Sequence, residues 1–492
     1  MISIWTDPVF RVRRLDGGIQ RMSLKETLMQ AHICRDLIGR TPTGRIALLR
    51  LVIAFLEDAL QPEDMDARRD LYESGAFDME TIEKYVEACE KTGPRFLLDD
   101  ETHPFMQAAY DPELDAKAEK PVAALVMDVP SGNNHVHFDH RAEWNHELNA
   151  SEAFEALLET YLFCPAGVAG PSKSNPSNIN NTPPVYFLLM GENLFQTLVL
   201  NMVSQEELEP IPFGKGAVPW RSNAVIHPKE TVSSVSFLQA FTWQPRRAKL
   251  NFDAEGNVST CFLQPGLDFK GDKRWHDPHV AYSQKKDGSY GTLKPEPGRQ
   301  IWRDIGCILK GRGGIQPMPV ANQSNIREDL PNSLVRVEAV GLQTNNASLL
   351  GWTHETMNLP NAFLEDADKV EDFRSCIGIC ETLVKALAKT IDKHLEFGKN
   401  AKRKGSSQLS EQACMLFLQL LHDELFGKTQ QRIIQNDRAW RAGFADAVIC
   451  ALRTVQDAVI NHSGTTIERM RRQDAVCAVM RACANKELKG WR

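Results

Sequence analysis

Near Pro360 this chain of 492 residues changes its hydrophobic rhythm, and that change constrains its fold more than any single motif. Beyond it, Val370, Phe373, Ile377, Cys380, Val384, Leu387, Ile391 and Leu395 recur at three- and four-residue steps, the spacing of one face of a helix. A basic connector, GKNAKRKGSS (Gly398–Ser407), follows. A second helix is predicted over about Glu411–Phe426, stopping at Gly427. A third carries Ile433, Trp440, Phe444, Val448, Leu452, Val455 and Val459 and ends near Gly464. A fourth starts at Thr465–Thr466 and carries Ile467, Met470, Val476, Met480 and Cys483. Four helices joined by short connections predict an antiparallel four-helix bundle over residues 363–492.

Before Pro360 the rhythm is broken. Ser3–Val12 alternates enough for a strand, and Gly17–Gly18 reads as a turn. Ser23 with Glu26 forms a capping-box pair ahead of a helix. Ile46, Leu49, Val52, Ile53, Leu56 and Leu60 place a second helix after Thr43, and a third near Met79–Lys91 stops at Gly93–Pro94. From about Phe96 onward apolar runs are short and punctuated by Gly, Pro and Asn. Phe187–Met190, Ala240–Trp243 and Arg336–Leu342 read as strands, and Glu152–Phe163 and Asn193–Met202 as helices. The longest loop is expected around Gly167–Pro184, and long loops in compact domains commonly carry function. The fold class is therefore α+β: a large irregular mixed domain over residues 1–362, then the bundle.

Charge is unevenly divided. Residues 401–492 hold 15 Lys+Arg against 9 Asp+Glu, which leaves 42 against 55 for the rest of a chain whose formal net charge is −7. An acidic body with a basic tail domain argues against a protein that grips nucleic acid alone through one broad cationic surface. No run of about 18 uncharged apolar residues appears, so no membrane span is expected. The N-terminal MISIWTDPVFRVRRLDGG has no basic-then-apolar leader. The 11 cysteines form no CxxC pair, which fits buried thiols in a reducing cytoplasm better than a zinc ribbon.

Five short runs carry candidate chemistry. His135-Val136-His137-Phe138-Asp139-His140 has the HxHxDH spacing with which metallo-hydrolases gather zinc ligands to activate water. A zinc-dependent hydrolase is the enzyme alternative. Against it stand the mainly helical residues before the run and PSGNN (Pro130–Asn134), which separates it from any preceding strand. Gly39-Arg40-Thr41-Pro42-Thr43-Gly44-Arg45 has P-loop glycine spacing without the Lys-Ser/Thr pair, so it reads as a loop entering a helix. Gly167-Val168-Ala169-Gly170, with Ser172, Lys173 and Ser174 behind it, is either an idle surface loop or one whose small residues let backbone approach a groove. Gln343-Thr344-Asn345-Asn346-Ala347 sits between two apolar stretches and reads as a hairpin tip bearing amides. Lys270, Lys273 and Arg274 lie beside Trp275, a pairing suited to phosphate and base contact.

Five phrases in fixed order, LDDETHPFMQ (Leu98–Gln107), PSGNNHVHFDH (Pro130–His140), AGVAGPSKSNPSNINNTPP (Ala166–Pro184), FTWQPRRAKL (Phe241–Leu250) and GLQTNNASLLGW (Gly341–Trp352), resemble the large-subunit (CasA) family of the type I-E CRISPR surveillance complex, Cascade. The resemblance implies a non-catalytic subunit with no metal or cofactor, and as partners the other Cascade subunits, CRISPR RNA, target double-stranded DNA and the helicase-nuclease effector. It implies that Asn134, Phe138, Asp139 and His140 belong to the loop that docks on the RNA and a neighbouring subunit. Gly167, Val168, Ala169, Gly170 and Lys173 would form the loop that reads the protospacer-adjacent motif. Val168 and Ala169 stand where relatives often carry more glycine. Asn345 and Asn346 would form the strand-separating wedge, where glutamine is common. Lys270, Lys273 and Arg274 are candidate DNA contacts near the family's motif-reading lysine, although Gln264 and Gly266 align closest to that point.

Overall fold

The computed structural model describes residues 1–127, 129, 147–163, 167–169, 172–175, 178–180, 182–208, 214–271, 275–285, 287–309, 314–327, 333–345, 348–396, 407–464 and 466–491. The chain divides into two compact units, one holding nearly all residues up to Leu359 and the other containing Pro360–Arg492.

The first unit is built around a helix that is buried on every side. Pro42–Leu60 buries Ile46 through Asp58 without a break, the signature of a helix at the centre of a domain. Thr41 caps it by accepting the Gly44 N–H, and Pro42 occupies the first turn, where its missing donor costs nothing. Phe55 on this helix collects Trp5, Tyr85, Phe96 and Trp220 within 5.3–6.4 Å between ring centroids. The helix Ala150–Phe163 packs along it. At the N-terminus, Phe10–Arg14 pairs antiparallel with both Ile19–Met22 and Cys34–Leu37. Ser23 and Glu26 form the expected capping box of Leu24–Met29.

Two larger sheets complete this unit. In one, Arg246–Phe252 and Asn257–Pro265 form a long hairpin extended by Glu119–Pro121 and Leu148–Asn149. In the other, Leu334–Asn345 lies between Tyr186–Met190 and Ser348–Pro360. Val335, Val337 and Ala339 face inward on the central strand, as period-two alternation requires.

Some expectations fail for physical reasons. Ala240–Trp243 is not a strand: Phe237–Phe241 is a short helix whose Phe237, Leu238 and Phe241 are buried. Four apolar residues cannot distinguish the two periods. The helix Met65–Ser74, absent from the sequence reading, is mainly polar, with Asp64 capping it and Gly75 ending it in the left-handed region. The loop expected at Gly167–Pro184 contains two short paired strands, Gly167–Ala169 and Ser172–Asn175.

The second unit is the helical bundle. Ala367–Ile391 packs on Gln408–Asp423 and on Ile467–Glu487, and Trp440–Val455 packs on the same two neighbours. Gly427 does not stop its helix: a π-helical turn, Glu424–Thr429, runs through it into Gln430–Ile434. Cys376 and Cys380, four residues apart, are both buried.

Candidate nucleic-acid interface

The site begins at the N-terminus of the central helix. The first amides of a helix lack intrahelical acceptors and favour negative charge. At Gly39–Arg45, two carboxylates from the Ala150–Phe163 helix meet the loop that enters this helix. The Arg40 N–H donates to Glu155, and Arg11 lies 3.5 Å from the same carboxylate. Thr41 Oγ1 donates to Glu159 Oε1 at 2.6 Å, and Thr43 Oγ1 donates to the same oxygen. A Cβ at Gly44 would stand 2.3 Å from Glu155 Oε1, so a larger residue there displaces this carboxylate. Burial pushes the Glu155 carboxyl up to about 7 against the opposing pull of the Arg40 amide and Arg11.

From this point the chain runs to both predicted tips. Four residues after Glu159 the helix ends at Phe163, whose ring meets Tyr186 edge-on at 5.3 Å, while Asn178 Nδ2 donates to the Leu162 carbonyl at 2.9 Å. Gly167–Ala169 then pairs with Ser172–Asn175, with Gly167 opposite Asn175 and Ala169 opposite Ser172. Gly167, Val168 and Ala169 form the first of these strands and Lys173 lies in the second; Gly170 lies outside the described residues.

Trp352, on the second strand of the other hairpin, donates its indole N–H to Thr43 Oγ1 at 2.9 Å. Thr43 therefore bonds at once to the helix that feeds the glycine-bearing hairpin and to the hairpin that bears the amides. Next to it, Glu338 on the first strand accepts from Arg45 and from His354, each at 2.5 Å, and Arg45 also holds Asp36 at 2.7 Å. Gln343 Nε2 donates to Thr353 Oγ1 across the hairpin at 2.7 Å. Asn345 is the last residue of its strand, and Asn346 lies outside the described residues.

The other predicted site residues separate. Lys270 is exposed and paired with Asp268 at 2.9 Å, at the end of a short strand. Lys273 and Arg274 lie outside the described residues. Trp275 is buried 5.9 Å from Phe237, so its ring is closed to a base. Asn134, Phe138, Asp139 and His140, with the whole HxHxDH run, also lie outside the described residues. Among the described residues no group of three His, Cys, Asp or Glu side chains is arranged to hold a metal ion, and no helix is long and apolar enough to cross a membrane.

Sequence reasoning missed Thr43, Glu155, Glu159 and Trp352. The only local signal was Thr at two of three positions entering a helix. The phrases that carried the resemblance have a structural role: Gln244 Nε2 and Tyr161 Oη both donate to the carbonyl of Met106, whose φ is +56°, and Gln107 Oε1 accepts from the Leu250 N–H. DETHPFMQ and WQPRRAKL are two halves of one clamp.

The family description "CRISPR-associated protein Cse1" matches residues 5–450. A curated CasA/Cse1 protein of Thermus thermophilus is 26% identical over 362 residues, spanning 71% of this chain and 69% of that one. The solved structure of Thermus thermophilus CasA superposes with a TM-score of 0.79 at 20% identity, covering 98% of this chain and 100% of that one. Cse1 of Acidimicrobium ferrooxidans gives 0.78 at 20% identity, covering 100% and 99%. A chain of a CRISPR RNA-guided surveillance complex gives 0.78 at 16% identity, covering 97% and 99%. With a family match over most of its length and a shared fold across both units, this chain belongs to the Cse1 family of CRISPR-associated proteins.

Proposed function

We propose that this chain is the large subunit of a CRISPR RNA-guided surveillance complex, acting there without catalysis. In this reading it recognises the protospacer-adjacent motif in double-stranded DNA, starts strand separation and helps recruit the helicase-nuclease. The observation that carries the reading is the common root of the two hairpins at Thr43. A motif reader and a wedge must act on adjacent base pairs of one duplex, and a shared buried anchor holds two such elements in fixed relation. One protein of this fold is a chain of a CRISPR RNA-guided surveillance complex, which supports the same assignment.

The division of labour follows from chemistry. Gly167–Gly170 presents backbone with little side chain to the minor groove, where the base code is degenerate. Asn345 and Asn346 enter beneath the motif, and unstacking there costs a few kcal/mol per step. Pairing of guide RNA with the opened strand then carries sequence specificity. Lys270, Lys273 and Arg274 hold phosphates, the basic bundle guides DNA, and Asn134, Phe138, Asp139 and His140 dock the subunit on guide RNA and its neighbour.

The test is Thr43→Val in the assembled complex, with Thr43→Ser beside it. The valine takes the acceptor from the Trp352 N–H and one donor from the Glu159 carboxylate, which keeps Thr41, a loss of about 1–3 kcal/mol. Motif discrimination and strand opening should both fall, by roughly tenfold, while Thr43→Ser keeps both. Strand opening is read by fluorescence of a base analogue next to the motif. Full retention of both activities in the valine variant rejects the reading.

A further inference from the structure

The N-terminal sheet has two unlike faces. Phe10, Val12, Met22 and Leu37 are buried in the core. On the other face the register sets Arg11 directly opposite Arg21 and Arg13 opposite Ile19. Like charges directly opposite across an antiparallel pair destabilise it. Arg13 and Arg21 are exposed, and among the described residues neither makes an ion pair or a side-chain hydrogen bond. The carboxylates on this side are already engaged: Asp36, opposite Arg13, is held by Arg45 at 2.7 Å, and Glu155 accepts from the Arg40 amide beside Arg11. Ile19, between the arginines, is 63% exposed. Three cations thus share one small face, two of them unanswered, in the part of the chain that is otherwise acidic.

We propose that this sheet face is a phosphate-binding surface for the duplex flanking the recognised motif, with Arg13 and Arg21 as its direct contacts and Arg11 as their buttress. The inference rests on the proposed function for its choice of partner. Guanidinium groups bind phosphate through paired donors and keep their charge at any working pH. Arg11 links the face to Glu155, on the helix that runs into the glycine-bearing hairpin. A duplex engaged by that hairpin can continue across the sheet. These contacts would be to backbone alone, adding affinity without adding sequence preference.

Salt dependence separates this role from motif reading. Each phosphate neutralised on B-form DNA contributes about −0.9 to the slope of log affinity against log salt. The experiment uses the full chain assembled in its complex, a motif-bearing duplex and a scrambled duplex, and salt from about 50 to 200 mM. For Arg13→Gln/Arg21→Gln the slope should become shallower by about 2, with the ratio of affinities for the two duplexes unchanged. Arg13→Lys/Arg21→Lys should keep the wild-type slope, which separates charge from folding. An unchanged slope in the glutamine variant overturns the proposal, as does weakened assembly on guide RNA with DNA binding intact. A shallower slope in a chain that never discriminates the two duplexes keeps the phosphate surface and refutes the motif-reading function instead.

Discussion

The two units hold themselves together by opposite means. In the bundle the interior is mainly apolar, and its buried polar side chains, Ser410, Thr429, Gln430 and Gln473 among them, carry no charge: Phe373 meets Phe363 and Phe426 at 5.1 and 5.5 Å, beside Leu383, Leu387, Phe417 and Phe444. Its ion pairs, such as Arg441–Asp372, lie at the exposed surface. The first unit drives charge into its core. Arg50–Asp277, Arg68–Glu207 and Arg247–Asp115 pair at 2.6–2.8 Å with side chains no more than 7% exposed. Buried pairs are a poor source of net stability, because desolvation offsets attraction. They fix geometry, since each works only in one arrangement. The unit that holds two hairpins in register in the proposed reading is the one built this way, and the bundle is packed from contacts that can be exchanged.

The sharpest way to break that contrast is Asp277→Asn, which preserves volume and removes charge. Both Arg50 guanidinium nitrogens bond Asp277, at 2.9 and 2.8 Å, and the same group lies 3.9 Å over the Phe241 ring. An uncompensated buried cation costs about 3–5 kcal/mol. The urea midpoint of the first unit's unfolding should fall accordingly. A loss below about 1 kcal/mol would mean that the pair is dispensable and the contrast false.

This difference also explains how far the sequence could be read. The bundle was legible because Val370 through Leu395 repeat one apolar step and the interior is mainly apolar. The central helix was legible for the same reason. The junction at Thr43 was not: Thr43, Glu159 and Trp352 are separated by 116 and 193 residues and carry no period. Their meaning appears only when three elements meet. The hairpin over Gln343–Ala347 could be placed from its flanking strands. What supports its base, Arg45 on Glu338, joins residues 293 apart in sequence. The Gly39–Arg45 run was rightly read as a loop entering a helix, yet its glycine spacing serves a carboxylate from the protein itself.

A smaller effect tests the same buried cluster through pH. His279 Nδ1 lies 3.0 Å from Arg50 and its Nε2 2.9 Å from the Asn201 carbonyl. Burial, reinforced by Arg50, pushes the imidazole down to about 3 from an ordinary 6.5. The unfolded chain therefore binds a proton that the folded chain refuses, and stability drains away as pH falls from about 6.5 toward 3. Each unit of pH in that window costs about 1.4 kcal/mol, or roughly 2 kcal/mol between pH 7 and 5. Glu57 and Glu155, both pushed up to about 7, pull the other way as pH rises from their ordinary 4.5. Comparison with His279→Gln cancels those two. Parallel pH profiles for the two proteins would show that the imidazole titrates normally.

The smallest expected effect is the most informative about the bundle. Leu383 is fully buried on Ala367–Ile391, in an interior without buried ion pairs among the described residues. Leu383→Met conserves volume as Asp277→Asn does, so the two substitutions differ in what the site requires. An apolar interior accepts such a swap for less than about 1.5 kcal/mol, because dispersion contacts re-form around a flexible side chain. The unfolding midpoint of the bundle should move by a few degrees at most, with its helical circular dichroism unchanged. A loss as large as that of Asp277→Asn would mean that Leu383 sits in a site as particular as any ion pair.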